Sequence, residues 1–170
     1  HAEPYLGRAP NPSDGLPAMI RAYLAAFGPA SVMDFQAWAG LTKIKPIMEA
    51  MRPELVIYRD EDGVELFDLP NMPLPDPDTP APIRFVPELD NLIIAHADRR
   101  RVISDEDKPK VFLSAARVLY TLLVDGFVAG TWNVLRANSR GKGTATLIVR
   151  PFRPLTADQV AEVMAEGDRL

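Results

Sequence analysis

Leu16, Met19, Ile20, Tyr23, Leu24 and Phe27 recur at helical spacing and predict an amphipathic helix that stops at Gly28-Pro29. Ser13 or Asp14 can cap its start, and Pro17 falls early enough for its missing N–H to cost little. Ser31 and Asp34 have the spacing of a capping box, with aspartate in place of glutamate. They open a second helix through Phe35 and Trp38, which Gly40 ends. Thr42 is the expected cap of a third helix, whose apolar face is Ile44, Ile47, Met48 and Met51 and which Pro53 closes.

Two short β-prone runs follow, Leu55–Tyr58 and Val64–Phe67, joined by Asp60-Glu-Asp-Gly63, the pattern of a hairpin. Three short helices and a hairpin, with a tight turn at Gly40, predict a winged helix-turn-helix over residues 13–69. Seven of the 17 prolines lie between residues 70 and 87, which rules out a helix or central strand there. Residues 70–82 are therefore expected to form an extended connector, and residues 1–12 a linker, with His1 given no weight. Ile83–Val86 has the look of a strand, Leu89–His96 of an apolar segment of undecided type. Val118–Val124, Phe127–Leu135 and Thr144–Val149 predict an antiparallel β-meander, with Asp125-Gly126 as a two-residue turn and Gly130 marking a bulge. Thr156 caps a last helix from Ala157 to about Gly167, with Val160, Val163 and Met164 on one face. The fold class is α+β: the winged helix-turn-helix module, then a second small α+β module over 83–170 with an antiparallel β-meander and a C-terminal helix.

Composition narrows the function. Hydrophobic residues at 47% and charged residues at 25% are the balance of a globular domain, and no apolar run is long enough for a bilayer span. Without cysteine, thiolate catalysis and thiolate metal sites are excluded, and two histidines are too few for an imidazole metal centre. No metal, no cofactor and no membrane partner are expected, and the expected location is the cytoplasm. The formal charge of -4 is unevenly spread. Residues 1–82 hold 6 basic against 12 acidic side chains, whereas residues 126–157 hold five basic ones (Arg136, Arg140, Lys142, Arg150, Arg153) and no acid. Local fields of this kind, rather than net charge, decide where a polyanion settles.

The densest chemistry is His96-Ala-Asp-Arg-Arg-Arg101. Three consecutive arginines cannot all be buried. On a loop, Arg99, Arg100 and Arg101 can grip successive phosphates while His96 and Asp98 orient a substrate or a water. The alternative is an internal ion-pair cluster with Asp98, Asp105, Glu106 and Asp107. Lys43 and Lys45 open the third helix, where a helix-turn-helix meets DNA, although Asp60, Glu61 and Asp62 at the hairpin tip would repel phosphates. The tip with Arg136, Arg140 and Lys142 resembles basic hairpins that enter a nucleic-acid groove, or is a plain soluble loop. Glu88 and Asp90 would share one face if Leu89 lay in a strand, a geometry open to acid–base work but common on plain surfaces. Trp38 and Trp132 are expected in the core. Nucleotide-loop, nucleophile-elbow and zinc-protease motifs are all missing from the sequence.

Gly28-Pro-Ala-Ser31, Phe35-Gln-Ala-Trp-Ala-Gly-Leu41, Phe85-Val-Pro-Glu-Leu-Asp-Asn-Leu92, His96-Ala-Asp-Arg99 and Val124-Asp-Gly-Phe-Val-Ala-Gly-Thr-Trp132 together resemble the winged-helix DNA-binding family that includes the AlkZ-like DNA glycosylases. The resemblance runs over nearly the whole chain. It implies tandem winged helices around a DNA channel in a protein about twice as long, and, in the enzymes, excision of alkylated bases and unhooking of crosslinks. The family's catalytic signature is glutamine, an aliphatic residue, then glutamine or aspartate; neither Gln36 nor Gln159 sits in such a triplet. The resemblance thus implies a C-terminal portion without a catalytic residue of its own. Its expected partners are double-stranded DNA, damaged DNA included, and the N-terminal half of the same protein. The alternative is a non-catalytic protein-interaction module.

Overall fold

The computed structural model describes residues 15–114, 117–136 and 144–170, which fall into two compact units. One comprises the chain through Leu74 together with Ala95–Ala97; the other comprises Pro75–Ile94 and Asp98–Leu170.

In the first unit, α1 (Gly15–Phe27), α2 (Val32–Ala39) and α3 (Lys45–Met51) precede a 3-10 turn (Arg52–Glu54) and a hairpin of β1 (Val56–Arg59) and β2 (Glu65–Asp68). Every apolar position that predicted α1 packs into one cluster with Phe35, Met48, Met51 and Phe67. The capping box is formed: Asp34 N–H donates to the Ser31 hydroxyl, and the Asp34 carboxylate accepts from Ser31 N–H. Gly40 takes the left-handed conformation (φ 66°) that closes α2. The β1–β2 ladder is antiparallel, with Ile57 opposite Phe67 and a further bridge from Ala30 to Phe67.

Several local expectations are corrected. Thr42 does not cap α3; Ile44 occupies that position without a side-chain cap, and the Gln36 amide oxygen accepts its N–H at 3.0 Å. Pro53 does not end α3 but sits within the 3-10 turn after it. Trp38 is 36% exposed, packed on Tyr23, Phe27 and Phe35 at the rim rather than inside. Ser13 and Asp14 lie outside the described residues.

The second unit contains β3 (Arg84–Val86), α4 (Asn91–Ile94), α5 (Lys108–Val111), β4 (Phe112–Ser114), β5 (Arg117–Val118), β6 (Thr121–Val124), β7 (Phe127–Arg136), β8 (Ala145–Pro151) and α6 (Ala157–Gly167). Its main sheet is antiparallel in the order β3-β6-β7-β8, so the expected meander gains β3 as an edge strand. The apolar run 118–124 is not one strand: Val118 pairs with β4, and Leu119 and Tyr120 separate it from β6. Alternation gives the sheet two buried faces. Leu122, with Ile83 and Phe85, packs with Val163 of α6, while Leu123, with Val86, packs with Ile93, Val102 and Ile103. Of the expected α6 face only Val163 is buried; Val160 and Met164 are exposed. Trp132 is half-buried, its indole N–H donating to Val86 O at 3.1 Å. Glu88 and Asp90 do not share a strand face, because Leu89 has a positive φ of 58° and Asp90 starts α4.

Asp125 and Gly126 both have positive φ, as a two-residue turn between Val124 and Phe127 requires. Beyond it, Leu122 pairs with Gly130 and Leu123 with Val128, leaving Ala129 as the extra bulge residue. A Cβ on Gly130 would come within 2.7 Å of Arg150 O and 2.9 Å of Pro151 Cα, both backbone atoms of β8. Gly130→Ala is therefore expected to cost about 2 kcal/mol of stability, the usual scale of overpacking. Denaturant unfolding that shows no loss would mean β8 relaxes freely at this point.

Candidate nucleic-acid interface

The arginine triplet sits on a single helical turn. Arg99 O accepts the N–H groups of Val102 and Ile103, each at 2.9 Å, and Val128 N–H of β7 donates to Val102 O at 2.8 Å. Val102 and Ile103 are buried and fix the turn, with Arg100 and Arg101 exposed on its outer side. Asp98 starts the turn by accepting Arg100 N–H at 3.0 Å, a local aspartate turn that the short carboxylate favours.

The three arginines differ. Arg100 closes onto Asp98, with its Nε and one terminal nitrogen on the carboxylate at 2.6–3.1 Å. That hydrogen bonding holds the Asp98 carboxyl at about 2, below the usual carboxylate range. Arg101 is exposed and adds to the positive field on Asp98. Arg99 is half-buried: its Nε donates to Ile93 O at 3.1 Å and its guanidinium lies 4.5 Å from the Phe112 ring centre. Burial alone lowers its pKa from the ordinary arginine value.

Asp107 and Glu106 serve a different cation. Arg153, after β8, donates to Asp107 at 2.7 Å and to Glu106 at 3.1 Å, while Lys110 donates to Asp107 at 2.6 Å. Burial pushes the Asp107 carboxyl up, but hydrogen bonds from Lys110, Arg153 and Ser104 outweigh it and hold the group at about 2. Arg150 donates to the Asn133 amide oxygen at 3.0 Å. The positive stretch 126–157 is thus partly neutralised by carboxylates distant in sequence. Arg136 is exposed at the end of β7 with no side-chain hydrogen bond or ion pair among the described residues, and Arg140 and Lys142 lie outside those residues.

His96 belongs to the first unit and is buried, with Nε2 3.1 Å from Phe27 O. A carbonyl only accepts, so Nε2 carries the hydrogen. Beside it, Tyr23 donates its hydroxyl to Ala95 O at 2.8 Å, and Ala97 N–H donates to Asp34 at 2.8 Å. These bonds make residues 95–97 part of the first unit's packing and leave little of the imidazole to solvent. Lys43 is exposed in the left-handed conformation (φ 61°), and Lys45 is exposed at the start of α3, where its charge acts on Glu49. Arg21, Arg52 and Arg59 of this unit are all paired with glutamates.

A surface cavity of about 630 Å³ in the second unit lies beside Ala81, Ile83, Asp125 and α6 and includes none of the arginine-turn residues. Among the described residues no acidic or histidine cluster is arranged to hold a metal, and no helix is long and apolar enough to cross a membrane.

Residues 2–170 match the family model described as DNA glycosylase AlkZ-like. The chain therefore belongs to the AlkZ-like DNA glycosylase family. It is 26% identical over 155 residues to the interstrand DNA cross-link repair glycosylase of Streptomyces sahachiroi, across 86% of this chain and 39% of that protein. Its fold is similar to the solved structure of Streptomyces sahachiroi DNA glycosylase AlkZ, with a TM-score of 0.71 at 24% identity, covering 94% of this chain and 43% of that one. The chain spans about two fifths of the length of these relatives.

Proposed function

We propose that this chain is a DNA-engaging, C-terminal portion of an AlkZ-like repair glycosylase of the cytoplasm. Family membership across residues 2–170 is the observation that carries this reading. On it, residues 13–69 act as a winged helix-turn-helix, residues 70–82 as connector, and residues 83–170 as the second module. Phosphates of double-stranded, damaged DNA are met by the turn Arg99–Arg101 and the hairpin carrying Arg136, Arg140 and Lys142, with Lys43 and Lys45 as the contacts of the first unit. His96 acts indirectly, by holding the segment that leads into the arginine turn. The glutamine triplet of the family's enzymes is missing from this sequence, so base excision falls to the N-terminal half of the whole protein.

The test is fluorescence anisotropy with a labelled duplex across a salt series. If at least three of these eight cations each neutralise a phosphate, the slope of log affinity against log salt is about −2.7 or steeper, a loss of roughly fortyfold or more between about 50 and 200 mM. Absence of binding at low salt, or binding indifferent to salt, overturns the reading. A second reading, a protein-interaction module, is favoured by the acidic tip Asp60-Glu61-Asp62 between β1 and β2. It predicts a self-associating or protein-bound species in light scattering and no DNA affinity.

A further inference from the structure

Arg99 is set apart from its neighbours by what it lacks. Among the described residues no carboxylate lies within 4.0 Å of its guanidinium, whereas Arg100 is neutralised by Asp98 and Arg153 by Asp107 and Glu106. A half-buried guanidinium without a counter-charge is costly, so its retention needs an external anion or a structural use of its stem. The stem is already fixed: Nε is committed to Ile93 O, and the planar group lies over Phe112. Among the described residues the two terminal nitrogens have no hydrogen-bond partner, and neither is among the fully buried unpaired atoms, so both reach solvent. A planar fork held at its base, with both tips accessible, matches two oxygens of one phosphate.

We infer that Arg99 is a pre-organised receptor for a single backbone phosphodiester of DNA, and that it, rather than Arg100, is the anchor of the arginine turn. This rests on the DNA-binding reading above. Because its rotamers are fixed before binding, Arg99 loses less freedom on contact than an exposed arginine. Arg100 must first give up Asp98.

The experiment compares duplex binding by wild type, Arg99→Gln, Arg99→Lys, Arg100→Gln and, as a control at the far end of α6, Arg169→Gln. Arg99→Gln is expected to weaken binding about tenfold at low salt and to make the salt slope shallower by about 0.9, the share of one phosphate. Arg99→Lys should keep the slope but not the affinity, since a point charge replaces the fork. Arg100→Gln should lose two- to threefold, and Arg169→Gln should match wild type. An Arg99→Gln slope equal to wild type, or an Arg100→Gln loss as large as that of Arg99→Gln, overturns the inference. Side-chain ¹H–¹⁵N spectra of wild-type protein need no variant to fold. The Arg99 Nε–H signal should shift on adding duplex, and an Arg99 signal that ignores bound duplex overturns the inference. If duplex does not bind, the DNA reading fails. Inorganic phosphate then decides: a shift of the Arg99 signal keeps a phosphate receptor, and no shift removes it.

Discussion

Asp34→Ala is expected to lower stability by about 3–4 kcal/mol, because one carboxylate serves two pieces of chain. One oxygen accepts from Ser31 N–H and the Ser31 hydroxyl, both at 2.8 Å, and the other accepts Ala97 N–H at 2.8 Å, all in a side chain only 2% exposed. Removing it takes away the reciprocal half of the α2 capping box, although the Ser31 hydroxyl still accepts the N–H of residue 34, and it leaves buried donors without an acceptor, each costing more than the bond contributed. Asp34→Asn retains one acceptor but turns an N–H₂ toward a donor, so it should fall between the two. A melting temperature lowered by roughly 10 °C is the expected readout for a chain of this size. Asp34→Ala within about 1 kcal/mol of wild type would mean that water reaches these donors.

Asp107→Ala is the second large effect, about 2–3 kcal/mol at neutral pH. Its carboxylate is 2% exposed and joins Ser104, Lys110 and Arg153, tying the chain after β8 to the start of α5. Its folded-state pKa of about 2 lies below the ordinary aspartate value of about 3.9. The contribution is therefore fully present above about pH 4 and is lost as pH falls through the folded value. The gap in melting temperature between wild type and Asp107→Ala should be constant from about pH 7 to 5 and close towards about pH 2. A gap that persists unchanged into acid would contradict this assignment. Asp98, exposed and paired with Arg100, adds little to the same acid limb because solvent screens it.

What the sequence made legible was local. Gly28-Pro29, the Ser31–Asp34 box, Gly40, Asp125-Gly126 and Thr156 each mark a boundary through a rule that spans four residues or fewer, and each marks a real one. The same Ser-x-x-Asp spacing recurs at Ser104–Asp107, and Asp107 N–H donates to the Ser104 hydroxyl there too. Charge counting alone places this acid in a generic cluster with Asp98, Asp105 and Glu106. What escaped was long-range. That β3 pairs with β6, that Leu119-Tyr120 interrupts an apolar run, and that Arg153 spends its charge on Asp107 all depend on partners tens of residues away. Within the triplet, no local signal separates Arg99 from Arg100. Only Ile93 O and Phe112 on one side, and Asp98 on the other, make them different.

The most direct test of DNA engagement is a backbone amide map of the ¹⁵N-labelled chain titrated with a short duplex at low salt. Shifts are expected to concentrate on residues 98–103 and 136–142 and to collapse when salt is raised. Shifts confined to α1 and the acidic β1–β2 tip, or none at all, would contradict this expectation.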